Sequence, residues 1–527
     1  MRTRTRIVLG VLVSVIVIGG VGLTLALRNL EPRLRDWITT NLERSLESKV
    51  ELGSVQLTWM PLRVHAQDLT VRHHGRTDIP PLLVAASFTI DLKPTEMWSS
   101  TVEHVAVDGM EINFPPKDPE TGKRPMPKPT GSSGGGKGFL VKRLTATNTR
   151  LAIIPRTEGK NAKVWDIFEL DVRNLGDNQS SAFTAALINP IPYGKIESSG
   201  QFGPWSPTVP GDTPISGKYT FAADLGTING LGGQLKASGD MDGTIEQIVT
   251  HGETETPDFR LSDLDGSPLP LRTQYDALVD GTAGDVKLRS VDILLGKSAL
   301  HARGLVEGTK GIKGKRVSLN VTSKDASLGE LLRLASKKKS PVNGLLVIDG
   351  AFDLPQGKAS VLERLELEGS VRAERLIFTD DMVQDKIDEL SRRAQGKPGD
   401  TSIGDVASKV ATKFVLHKGV FTYSGLSFNV QGAAIKLDGT HSLKSKVIDL
   451  QGVALLNATV SQTQMGYKSW LLKPFDGFFK KDGAGTRLVI TVQGTQDQPK
   501  VGLDFGKTLR GQPPANSASA ARAKSAR

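Results

Sequence analysis

The sequence predicts a mainly β protein. An N-terminal transmembrane helix is followed by a long, curled antiparallel β-sheet that forms an apolar groove, with a few short amphipathic helices. Three observations predict it. Residues Ile7 to Leu27 carry no charged side chain. From Val50 onward, apolar and polar residues alternate with a period of two, the mark of strands with one apolar face. Helical periodicity is confined to a few short stretches.

The uncharged segment Ile7–Leu27 is 21 residues long. That is enough to cross a hydrocarbon core of roughly 30 Å at about 1.5 Å per residue. A cleaved signal peptide is the alternative, but its apolar region runs to about 7–15 residues before a small-residue cleavage site. The best such site here, Thr24-Leu25-Ala26, is poor. Arg2, Arg4 and Arg6 precede the segment and favour a cytoplasmic N-terminus. Arg28, Arg33 and Arg35 on the far side dilute that bias, and Glu31 and Asp36 do little to restore it. The reading is a single-pass anchor over residues 1–28, cytoplasmic tip included, with the rest of the chain translocated.

Residues 29–49 read as an amphipathic helix. Leu30, Leu34, Ile38, Leu42 and Leu46 recur every fourth residue, joined by Trp37, and Pro32 suits a first turn. Such a helix either lies on the membrane surface or closes the end of the sheet. In residues 50–114 the period becomes two: Val55, Leu57 and Trp59; Phe88, Ile90 and Leu92; Met110, Ile112 and Phe114. The Pro-, Gly- and Lys-rich run 115–138 reads as a flexible loop. Strands resume at Leu151 and Ile153 and at Phe168, Leu170 and Val172, opening a central region over 139–410. A C-terminal β region follows over 411–506. The tail 507–527 is rich in Ala and Ser and carries Lys507, Arg510, Arg522, Lys524 and Arg527. It reads as disordered and basic, suited to anionic headgroups or to solvent alone.

A local pattern recurs: apolar or small, any, apolar or small, any, Gly. It appears at Ile196-x-Ser198-x-Gly200, Leu235-x-Ala237-x-Gly239, Leu300-x-Ala302-x-Gly304, Leu346-x-Ile348-x-Gly350, Leu365-x-Leu367-x-Gly369, Ile435-x-Leu437-x-Gly439 and Ile490-x-Val492-x-Gly494. The glycines are 19 to 70 residues apart, so no fixed repeat period governs them. The expectation is a strand that ends at each Gly in a bulge or tight bend. Three stretches read as helical: Leu328 to Ser336; Asp380 to Arg393, with Val383, Ile387 and Leu390 on one side and Met382 beside them; and Met465 to Lys481, kinked at Pro474. In the last, Trp470, Phe475, Phe478 and Phe479 sit among lysines. With Trp37 they are candidates for a membrane interface, or for a plug on the end of the sheet.

Little in the sequence points to catalysis or cofactors. There is no cysteine, which excludes disulfides and thiolate metal sites. The run from Gly131 to Gly138 superficially resembles a phosphate-binding loop, but Gly138 stands where Ser or Thr would meet magnesium. His65, His73 and His74 have no partner at a metal-ligand spacing. No nucleophile elbow, zinc-helix motif or dinucleotide fingerprint is present. Although the net charge is +11, aromatics are only 5%, so no basic-aromatic platform for nucleic acid is expected. The reading is a protein that is not an enzyme and takes no cofactor or metal.

A long alternating sheet with few helices must curl to cover its apolar face. Roughly 25 strands at about 4.8 Å would give a trough on the order of 120 Å long. An apolar trough beside a membrane suits acyl chains. Candidate lining residues are Leu57, Trp59, Phe88, Ile90, Ile112 and Phe114 near the membrane end, then Leu346, Ile348, Ile435, Leu437, Ile490 and Val492.

The anchor, the helix to Lys49 and then VELGSVQLTWMPLRVHAQDLTV resemble the N-terminal region of AsmA-family proteins. Residues 411–506 are similar to AsmA-like proteins, through GVFTYSGLSFNVQGAAIKLDGTHSLKSKVIDLQGVALL and LLKPFDGFFKKDGAGTRLVITVQGTQDQPKVGLDF. The two segments cover about a third of the chain. The resemblance implies a Gram-negative inner-membrane protein whose bulk forms a periplasmic β-groove, related to bridge-like lipid transporters. It implies phospholipid or another acyl-chain lipid as the partner, with the inner membrane and envelope proteins, and a role in outer-membrane assembly or lipid homeostasis. It carries over no catalytic residue. The alternative expectation is a membrane-tethered scaffold for assembling envelope or outer-membrane proteins.

Overall fold

A computed structural model describes the chain from Pro32 to Leu503, apart from 33–34, 37, 41–42, 44–47, 60, 74–76, 78–79, 92–100, 115–139, 154–159, 161, 177–178, 205, 207–209, 313, 338, 403, 405, 466–472, 474–484 and 497. The expected anchor Ile7–Leu27, the loop 115–138 and the tail 507–527 therefore lie outside the described residues. Among the described residues, no helix is long and apolar enough to cross a membrane. These residues are mainly β, with 26 strands and few helices. They fall into two compact units. One takes in residues up to 222 with 238–250 and 278–285; the other takes in 223–237, 251–277 and 286 onward.

In the first unit, Ser48–Glu51 and Val55–Trp59 both pair with Leu62–His73. The ladder continues antiparallel through Leu83–Asp91 to Thr101–Phe114. Thr101–Phe114 and Leu140–Ile153 then run parallel, which corrects the expectation of a purely antiparallel sheet. Parallel neighbours need a crossover of a dozen or more residues, and the Pro- and Gly-rich run between these strands supplies that length. Antiparallel pairing resumes through Lys163–Gly176, Ser181–Pro190 and Tyr193–Phe202. The helical stretch expected over 29–49 gives way to strand at Ser48. Its Ile38 packs against the first core cluster, which includes Val64, Ala66, Leu69 and Phe88.

Alternation does not run unbroken along these strands. Ala66 and Leu69 are three residues apart, as are Ala85 and Phe88, yet all four are buried in one cluster. The phase changes at Asp68, whose φ is +57°, and the same device recurs at Gly109 (+65°) and Asn148 (+51°). Asp, Asn and Gly tolerate this left-handed conformation best. Around the phase change the Asp108 carboxylate accepts from Thr147 Oγ1 at 2.6 Å and Asn148 Nδ2 at 2.8 Å. Those bonds hold its pKa below the usual range.

In the second unit, eleven strands from Val286–Leu295 to Gln498–Leu503 pair antiparallel in succession. Helix Leu328–Ala335 forms where the sequence places it and packs Leu328 and Leu331 onto the cluster around Ala326, Leu346 and Leu376. Helix Asp381–Ala394 is capped by Asp380 Oδ1 on Val383 N at 3.2 Å. Its buried side differs from the expected one: Ile387 and Leu390 pack inward, but Val383 and Met382 are exposed. Gln384, Asp388 and Ser391 are buried in their place. They are held by hydrogen bonds: Gln384 Nε2 to Asp388 Oδ1 at 2.9 Å, Val406 N to Asp388 Oδ1 at 3.0 Å and Ser391 Oγ to the Gln431 carbonyl at 2.8 Å. A fully bonded polar set can be buried without the desolvation cost of unmade bonds. The third expected helix, around Pro474, lies almost wholly outside the described residues.

The recurrent glycines do not end their strands. Gly200, Gly239, Gly304, Gly350, Gly369 and Gly439 lie inside strands, and only Gly494 stands next to a strand end. The reason is steric. A Cβ at Gly200 would stand 1.9 Å from Ser216 O, at Gly304 1.9 Å from Ser318 O, and at Gly439 2.1 Å from Asp449 O. At these points the neighbouring backbone approaches so closely that no side chain fits, as glycine kinks in curved sheets require.

Candidate functional site

Directly paired residues on adjacent strands project to the same face, so the register defines what each face carries. In the first unit one row runs Leu57, Val64, Ile90, Val105, Leu144, Val172, Phe183, one residue per strand and all apolar. The adjacent row on the opposite face runs Arg63, Asp91, His104, Arg143. It is tied by Arg63 Nε to Asp91 at 2.6 Å, His104 Nδ1 to Asp91 at 3.0 Å and Arg143 to Asp171 at 2.6 Å. One face is thus continuously apolar and the other charged and paired.

The second unit repeats the arrangement over a longer ladder. Its apolar row begins Val291, Ala302, Val321, Gly350, Gly369. It continues Phe414, Tyr423, Gly439, Leu450, Val492, Val501. Phe414 stands opposite Gly369 and Tyr423 opposite Gly439, so rings cover the backbone that the glycines leave bare. Phe421 stacks on Tyr423 at 5.7 Å and meets Phe414 edge-on at 5.8 Å. Burial beside this apolar surface pushes the Tyr423 phenol up to about 12. The opposite face carries Asp292, His301, Thr322, Asp349, Ser370 and Lys413 in one row.

Within each unit, segments far apart along the sheet come together. In the first, Trp165 lies on the row through Val71, Leu83, Ile112 and Leu151. Its Nε1 donates to Gly281 O at 3.0 Å, and Lys163 N donates to Thr282 O at 2.7 Å, so segment 278–285 reaches the apolar side of that strand. In the second, six strands separate Val286–Leu295 from Ala433–Ser442, a span on the order of 30 Å if flat. Yet residues 263–265 and the turns at 418–419 and 443–446 line one cavity.

The expected lining residues distribute as follows. Leu57, Phe88 and Ile90 belong to one cluster, and Ile112 pairs with Leu83, which packs against that cluster. Trp59 and Phe114 are placed in strands, but their side chains lie outside the described residues. Ile435, Leu437, Ile490 and Val492 come together in another cluster with Leu450 and Ile448. Leu346 and Ile348 lie under helix Leu328–Ala335 and form part of a covered core there. The expected interface residues Trp37, Trp470, Phe475, Phe478 and Phe479 fall outside the described residues. His65 bonds Thr89 Oγ1 through Nδ1 at 2.9 Å, and no metal-binding cluster occurs among the described residues. Missing from the sequence-derived set are Val105, Leu144, Phe414 and Tyr423. The φ-tolerant residues Gly109 and Asn148 within apolar runs, and Phe414 and Tyr423 within strands that neighbour a glycine motif, were the available signs.

A histidine also stands in the apolar face. His441 pairs with Phe421 and Ile448 and is half-buried, and its Nε2 is buried without a hydrogen-bond partner. Burial lowers its pKa, against a hydrogen bond with Gln496 that raises it. The unfolded chain therefore takes up the proton more readily. His441 costs stability as pH falls below the ordinary value of 6.5 and costs none above it. Urea midpoints of wild type and His441→Leu between pH 8 and 5 are expected to diverge as pH falls below that value, with wild type losing more. Parallel profiles would remove this assignment.

Comparison with known proteins finds no matching family model, curated protein or solved structure.

Proposed function

We propose that this protein is an inner-membrane-anchored periplasmic protein that holds phospholipid acyl chains along the concave apolar face of its sheet, and so serves outer-membrane assembly or lipid homeostasis. The observation that carries the reading is the unbroken apolar row, one residue from each strand in turn, backed by a charged and internally paired opposite face. A core needs only local patches; a face kept apolar along a whole ladder and left partly open suits a chain-like apolar ligand. Support also comes from the uncharged segment Ile7–Leu27 and the AsmA-like segments at the two ends of the chain. Among the described residues, the cluster around Leu437, Leu450 and Ile490 has only strand residues as packing partners, and this is the stretch of face assigned to the ligand.

Photo-crosslinking in the native envelope tests the proposal. A crosslinker at Ile448 or Val492 is expected to trap lipid, whereas one at Val415 or Val447, exposed on the opposite face, is not. Equal lipid adducts from both faces would overturn the reading. A protein adduct without lipid from the apolar face would favour the envelope scaffold instead.

A further inference from the structure

A cavity of about 500 Å³ in the second unit has a lining that is neither apolar nor of one charge. Lys418, Lys444 and Lys446 line it from two hairpin turns. Asp263, Asp265 and Glu363 line it from other segments. Among the described residues none of these six side chains forms a hydrogen bond or an ion pair. Three cations and three carboxylates thus share one recess without neutralising one another by direct contact.

The recess lies at the hairpin end of the apolar face. Leu443, in its lining, follows Leu437, Gly439 and His441 at every second position. Gln496, also in the lining, follows Ile490, Val492 and Gly494 in the same way. A chain laid against Leu437, Leu450 and Val492 would have its polar end here. The volume falls in the ordinary range for a small-ligand site, about 300–1,000 Å³.

We infer that this recess receives the headgroup of a zwitterionic phospholipid, with the phosphate at the lysines and the ammonium at the carboxylates. The inference rests on the groove reading and specifies its ligand. A purely anionic headgroup would gain the lysines but face three uncompensated carboxylates, and a headgroup-free lipid would engage neither. A group carrying both signs meets complementary charge on each side.

The full chain held in a nanodisc is titrated with dihexanoyl phosphatidylethanolamine, dihexanoyl phosphatidylglycerol, dihexanoylglycerol and inorganic phosphate. Phosphatidylethanolamine is expected to bind about tenfold tighter than the other two lipids, the scale of one or two charge-assisted contacts. In K418Q/K444Q/K446Q its affinity is expected to converge on that of dihexanoylglycerol. In D263N/D265N the preference over phosphatidylglycerol should vanish. Because the substituted residues are exposed, urea midpoints are expected to stay within the wild-type range. Equal binding of phosphatidylethanolamine and dihexanoylglycerol by wild type would overturn the headgroup assignment and leave the groove standing. Inorganic phosphate binding as tightly as phosphatidylethanolamine would overturn it in favour of a free-phosphate site. Failure of dihexanoylglycerol to bind at all would overturn the groove reading itself.

Discussion

Gly439→Ala is expected to destabilise the second unit by about 3 kcal/mol, near the upper end for a single overpacking substitution. The added Cβ would stand 2.1 Å from Asp449 O and 2.8 Å from Leu450 Cα, and φ at Gly439 is +150°. Both contacts are with backbone, so no side chain can swing away; the paired strands must separate. Gly425→Ala is the matched control. It has φ +64° and nothing within 4 Å of the added atom. It should therefore lose only the cost of a left-handed alanine, about 1 kcal/mol. Urea denaturation with a common slope reads the difference. A loss at Gly439 no larger than at Gly425 would mean that the sheet does not depend on close approach at its glycines.

This contrast bears on what the sequence makes legible. The period-two alternation sufficed for the strands around Val55 and Val492, because a half-buried strand needs nothing beyond one apolar face. The same alternation misjudged the glycines. A Gly after two apolar positions reads as a strand end, whereas Gly350 and Gly369 pair with each other in mid-sheet. What decides between the two is the distance to a neighbouring backbone, which no local pattern contains. The phase changes at Asp68, Gly109 and Asn148 were hidden for a related reason. A single left-handed residue turns three-residue spacing into same-face spacing, and Val105 then shares a face with Met110, not with Gly109. Helix Asp381–Ala394 was found by its period, but its inward side was not. Gln384 and Asp388 are buried because Val406, eighteen residues beyond Asp388, supplies their partners. The parallel pairing of Thr101–Phe114 with Leu140–Ile153 likewise depends on where a long connection returns. In the candidate groove, Leu437, Ile490 and Val492 were legible because simple alternation holds there; Leu346 and Ile348 share that alternation, but helix Leu328–Ala335 covers them.

Val492→Glu is expected to weaken acyl-chain binding about fifty-fold. Val492 is partly buried, packs against the cluster around Leu450 and Ile490, and lies on the row that runs from Phe414 to Val501. A carboxylate there keeps its water, so a chain passing over it forfeits contact along the hydrated stretch. Losing about three methylene contacts at about 0.8 kcal/mol each removes about 2.4 kcal/mol, the stated factor. Val415→Glu adds the same charge to the opposite face, where Val415 is already 45% exposed. It should leave affinity for a fluorescent fatty acid unchanged. Leu437→Glu would be a poor choice, since that residue is 7% exposed and an unpaired buried carboxylate would unfold the sheet before it tested binding. A fatty acid that binds Val492→Glu as well as wild type, or that loses equally from Val415→Glu, would separate the apolar face from any ligand. The alternation along the ladder would then be a packing requirement alone. If only the Val492 change is felt, the face is a binding surface. The glycines then acquire a second purpose beside fit: by letting neighbouring backbones close up, they let that surface bend around what it carries.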